Sequence, residues 1–228
     1  MSAIGYTVIP VLAVLTGAVV AVWRRPGPAL VSAIQHLAAG VVFAAAATEI
    51  LPDVKHQGSA LATLTGGVAG MVAMLSLKMF EERVEGPFAL IGAVGVDLLI
   101  DGLVLGLAFV AGTEAGILLT VALTLEVLFL GVTVTEELGD TLASKARIVA
   151  LTFGLGLLLP LGTLLALPVA GFPPAIITGF LSFGLIALLY LVTEELLVEA
   201  HEKPDTPLIS AMFFIGFLGL MLLEELMG

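Results

Sequence analysis

Two long apolar stretches at 87–111 and 115–138 carry acids where a bilayer tolerates them least. The first contains Val96-Asp97-Leu98-Leu99-Ile100-Asp101-Gly102, and the second contains Leu125-Glu126-Val127-Leu128-Phe129-Leu130-Gly131. An ionised acid at the centre of a spanning helix costs roughly 2.5–3.5 kcal/mol on insertion scales, so three left charged and uncompensated would cost about 8–10 kcal/mol. No Lys or Arg lies at their depth. A bound cation, a proton or water in a cavity must therefore compensate them.

That argument assumes a membrane protein, and the composition supports it. Of 228 residues, 60% are hydrophobic, only 12% are charged, and mean hydropathy is +1.19. A soluble domain needs more polar surface. The apolar runs are long and lack the alternation of about ten-residue barrel strands. The absence of cysteine rules out disulfides and thiolate metal sites. A net charge of −11 argues against nucleic acid and against a polybasic lipid-binding face. The first apolar run lacks a basic region before it and reads as a retained helix.

The expected fold is all-α, a single transmembrane domain over 1–228. Eight spans are expected at about 4–23, 29–51, 60–79, 87–111, 115–138, 147–166, 173–195 and 207–226, each near the length a bilayer needs. Short connections carry the turn residues, and Pro52 is expected to end span 2. Seven of the eight basic residues fall in the odd-numbered connections, and Lys55 is the exception. The positive-inside rule then puts those connections in the cytoplasm and both termini outside a cell membrane. Span 2 ends in Thr48-Glu49-Ile50-Leu51, and span 7 in Thr193-Glu194-Glu195-Leu196. This echo suggests inverted repeats of spans 1–3 and 6–8 around a central 4/5 pair, a 3+2+3 plan with a midplane site. In span 4, Gly92, Gly95, Gly102 and Gly106 form one stripe, so that helix should pack inside the bundle and keep Asp97 and Asp101 away from lipid.

Asp97 and Asp101 share a helix face one turn apart. Glu126 lies at comparable depth on the next, antiparallel helix. Three carboxylates offer a hard-oxygen site suited to Mn²⁺, Mg²⁺ or Ca²⁺, and usable by Zn²⁺ or Fe²⁺. The alternative is protonated acids hydrogen-bonded to the helices. At the cytoplasmic end of span 5, Thr133, Glu136, Glu137 and Asp140 form either a wet strip leading from this site or an ordinary helix end. Glu194, Glu195, Glu199, His201 and Glu202 end span 7 on the same side, where they assist release or are simply solvated. Outside, Glu49, Asp53 and His56 with Glu224 and Glu225 form a cation funnel or a solvated rim. His36, two turns into span 2, is a ligand or a packed, hydrogen-bonded histidine.

Over nearly the whole chain, these features resemble the ZIP family of divalent-metal transporters. His36-Leu37-Ala38-Ala39-Gly40-Val41 through Glu49-Ile50-Leu51-Pro52 is similar to that family's second helix, and Tyr190 through His201 to its seventh. Asp97-Leu98-Leu99-Ile100-Asp101-Gly102 sits where the family has His-Asn-x-Pro-(Glu/Asp)-Gly. Glu126 through Gly131 sits where many bacterial members have Gln-(Asn/Asp)-x-Pro-Glu-Gly. Asp101 keeps the acid, while Asp97 replaces the histidine and Glu126 the expected glutamine or histidine. Leu98, Val127 and Leu130 stand at ligand positions, and Ile100 and Phe129 at the prolines. The resemblance implies a transporter of a divalent cation of the Zn, Mn or Fe class, its paired metal centre reduced to one carboxylate site of Asp97, Asp101 and Glu126. It also implies a homodimer. The alternatives are a proton- or sodium-coupled transporter, or a relative that keeps the fold without transport. No enzyme is expected. The Gly-x-Gly-Asp signature of membrane aspartyl proteases is only partly met by Gly95-Val96-Asp97. Asp97 and Asp101 are also too close on one helix to flank a peptide.

Overall fold

The computed structural model describes residues 2–24, 26–56, 59–83, 87–142, 144–202 and 206–227, and is helical throughout with no strand among them. Eight helices are long and apolar enough to cross a membrane. They are α1 (Ala3–Trp23), α2 (Pro28–His56), α3 (Ala60–Phe80), α4 (Leu90–Ala111), α5 (Thr113–Gly139), α6 (Lys145–Gly171), α7 (Pro174–His201) and α8 (Pro207–Met227). The chain is thus a multi-span helical membrane protein, as its hydropathy requires. The bundle has one end where Arg24, Lys78, Arg83, Lys145 and Arg147 gather at helix termini, here called the basic end.

Two helices overrun their expected ends. α2 does not stop at Pro52 but continues to His56, and α7 continues past Glu195 to His201. Each contains a π-helical turn at the acidic motif, Ala46–Ile50 in α2 and Leu191–Leu196 in α7. In α2 the amide of Leu51 donates to the carbonyl of Ala46, five residues back. A proline inside a regular helix clashes with the carbonyl four residues earlier and leaves it without a donor. The wider turn just before Pro52 relaxes that conflict, so the helix survives. α6 responds differently to Pro160. It breaks at Leu157, between Lys145–Gly156 and Leu158–Ala166, and ends in a 3₁₀ turn at Leu167–Gly171.

Glycine notches set the packing. α1 lies on α5, where a Cβ on Gly17 would stand 2.0 Å from the carbonyl oxygen of Leu128 and one on Gly131 2.3 Å from that of Val14. α6 lies on α4 in the same way, with Gly102 against Leu159 and Gly162 against Leu99. α2 pairs with α8 through Gly40 and Gly216, and α7 with α3 through Gly66 and Gly70. Apolar side chains gain little by leaving lipid for a helix interface, so close backbone approach and dispersion contacts supply much of the association. α4 and α5 are packed on each other and enclosed by these partners. α3 and α8 keep most of their apolar surface outward, as lipid-facing helices do.

Candidate functional site

The stripe on α4 does what its spacing suggests. Gly95, Gly102 and Gly106 face α6, while Gly92 faces Phe80 of α3, so one side of α4 is taken up by packing. Asp97 and Asp101 remain inside the bundle, 7% and 3% exposed, and Glu126 of α5 meets them at 2% exposure. One carboxylate oxygen from each lies within 4.8 Å of the others. Among the described residues this is the one group of three or more acids or histidines gathered closely enough to hold a metal ion.

The polar accounting is incomplete there. Asp101 Oδ2 and both carboxylate oxygens of Glu126 are buried with no hydrogen-bond partner. Unpaired buried acceptors are costly, and more so when charged. Ionised carboxylates this close also repel. A cation between them, or protons shared among them, answers both demands. A cavity of about 30 Å³ borders Asp97 and Glu126, enough for an ion or a water molecule. Thr133, Glu195 and Glu199 complete its polar lining.

A second cavity, about 110 Å³, runs on toward the basic end between Asp97, Thr133, Glu137, Glu195 and Glu199. Of the wet strip expected on α5, Thr133 and Glu137 therefore line a cavity continuous with the cluster through Asp97. Glu136 is half-buried and lines neither cavity. The side chain of Asp140 lies outside the described residues. On α7 the two neighbouring glutamates diverge. Glu195 turns in toward the cluster, and Glu194 turns out to an ion pair with Lys78 of α3 at 3.0 Å.

The sequence leaves Glu199 either assisting release or simply solvated, and the fold gives it a definite place. It lines both cavities and accepts a 2.6 Å hydrogen bond from Gln35 Nε2, which ties α7 to α2 at the mouth. Gln35 was missed altogether. A glutamine inside a largely apolar stretch is the signal the sequence offers, and the structure buries it fully. His36 is buried but borders neither cavity. At the opposite end Glu49, half-buried, accepts a hydrogen bond from the hydroxyl of Thr48 at 3.2 Å and stands near Asp53, Glu114 and Glu224. Ile50, the neighbour of Glu49 on α2, is 1% exposed and closed in the apolar core. The outer acids are thus gathered from three helices but join neither cavity of the central cluster.

Fold and site together define a class: a multi-span helical membrane protein with a buried acidic cluster able to bind a metal, connected by cavities to one end of the bundle. No protein-family model matches the chain, and no curated protein matches it either.

Proposed function

We propose that this protein is a ZIP-like transporter that moves a divalent metal cation through a midplane site formed by Asp97, Asp101 and Glu126. The observation that carries the reading is the convergence of three carboxylates from α4 and α5 within 4.8 Å, with buried oxygens that no protein donor satisfies. A hard divalent ion suits such ligands. Glu195, Glu199 and Glu137 would accept it in turn along the cavities toward the basic end. By the positive-inside rule that end is cytoplasmic and both termini face outward from the cell membrane.

Inverted repeats of α1–α3 and α6–α8 are part of the proposal, and three features support them. The main helix pairs exchange under it: α1 on α5 with α6 on α4, and α2 on α8 with α7 on α3. The π turns begin at Ala46 and Leu191. The offset between them also relates Gly17 to Gly162, Pro28 to Pro173, Glu49 to Glu194 and His56 to His201. The repeat is broken where it matters for access. Ile50, closed in the apolar core, corresponds to Glu195, which lines the polar cavity. In this reading the polar cavities lead from the cluster toward the basic end, and rocking of the helix groups would expose the cluster to the other side.

Metal uptake into proteoliposomes tests the proposal. Asp97→Asn, Asp101→Asn and Glu126→Gln should each reduce flux at least tenfold, and unchanged flux in all three would remove the site. A second reading, proton transfer, is favoured by the same orphaned oxygens, because protons on Asp101 and Glu126 would also relieve the unpaired, mutually repelling acceptors. Proton flux that needs no divalent ion would select it.

A further inference from the structure

At the basic end, apart from the carboxylate cluster, the ring of His36 on α2 meets that of His201 on α7. Their centroids are 5.0 Å apart and the rings are inclined by 68°. His36 is 2% exposed, and its neighbours decide which nitrogen carries the proton. The hydroxyl of Ser32 donates to the carbonyl of Ala200 at 2.9 Å. Its proton is therefore not available to His36, and Nδ1–H of His36 donates to the Ser32 carbonyl at 2.9 Å. The lone pair is left on Nε2. That nitrogen is buried and has no hydrogen-bond partner. His201 is exposed beside a surface recess that it shares with Glu202, and its Nδ1 is likewise held by the carbonyl of Leu197.

We propose that His36 and His201 form a second metal site, for a borderline transition ion of the Zn²⁺ class, with Glu202 or water completing the coordination. Two imidazoles sharing one tetrahedral ion at about 2.05 Å would have centroids about 5.2 Å apart. The observed centroid separation of 5.0 Å is close to that value. Each ring has its Nδ1 anchored to a backbone carbonyl, the arrangement that orients a ligating imidazole. Imidazole favours Zn, Ni, Cu and Fe over Mg and Ca, so this site selects on different chemistry from the all-oxygen cluster. It requires binding only, and stands whether or not the protein transports.

Zn²⁺ titration of the full-length protein in detergent reads the site, using E126Q to disable the carboxylate cluster. E126Q should still bind one equivalent, and a tenfold excess of Mg²⁺ should not displace it. E126Q/H201Q should bind at least tenfold more weakly. His201 is exposed, so that change spares the fold, and Co²⁺ absorption bands that depend on His201 would identify nitrogen ligation directly. Equal Zn²⁺ affinity with and without His201, or displacement by Mg²⁺, would overturn the proposal. Loss of metal flux in E126Q together with retained, His201-dependent Zn²⁺ binding separates this site from the transport reading.

Discussion

Glu126→Gln should move stability in opposite directions with and without metal. The change preserves side-chain size but removes one charge from a cluster whose ligand oxygens lie within 4.8 Å. At that separation two ionised carboxylates repel by about 3.5 kcal/mol at an effective dielectric of about 20. Glu126 takes part in two such pairs, so with all three acids ionised its neutralisation relieves about 7 kcal/mol in the metal-free protein, and less by whatever protons the cluster already shares. With a divalent ion bound, the same change removes one of three charged ligands. For a hundredfold loss of affinity, metal at 100 times the wild-type Kd stabilises the wild type by about 2.7 kcal/mol and the variant by about 0.4 kcal/mol. Thermal unfolding in detergent, with and without Mn²⁺, which suits oxygen ligands and not the imidazole pair, reads both effects. Metal-free E126Q should melt at or above the wild type and gain far less on metal addition. A full metal-induced shift in E126Q would refute Glu126 as a ligand. A metal-free variant clearly less stable than the wild type would refute like-charge repulsion as the cost the cluster carries.

Metal binding at the cluster should weaken as pH falls, because protons compete for the same carboxylate oxygens, with about tenfold lost per pH unit for each proton displaced; pH-independent binding in equilibrium dialysis would contradict an all-carboxylate site. Gly17→Ala places a Cβ 2.0 Å from the Leu128 carbonyl oxygen and should cost about 1–3 kcal/mol or more, lowering the melting temperature, whereas Gly154→Ala meets nothing within 4 Å and should be neutral or mildly stabilising. The chain has no cysteine, so single cysteines report access cleanly. Thr133→Cys should react with an impermeant maleimide applied at the basic end, and Ile50→Cys should be protected from both sides; the reverse pattern would mean that the protein rests open the other way.

The amino-acid order determined the large features. Hydropathy is local and additive along a segment, so eight spans of bilayer length were legible without tertiary information. Two facing helices joined by Gly112, with acids at matched depth, were enough to bring Asp97, Asp101 and Glu126 together, because antiparallel neighbours share depth. Where the spans ended was less legible. Pro52 read as a stop, and a π turn let α2 continue through it. Side-chain facing was decided only by the folded bundle. Each residue along a helix turns by about 100°, and a π turn inserts one such step. Hence Glu194 reaches Lys78 at the surface while Glu195 reaches the cluster cavity. The glycine notches fix the rotation of each helix against a distant partner, α1 against α5 and α6 against α4. Contacts such as Gln35 with Glu199, and His36 with His201, depend on that rotation and on residues far apart in the chain. The sequence therefore set which chemistry enters the membrane and at what depth. The tertiary structure set which groups face one another, because facing is a property of packed helix pairs and no single helix carries it.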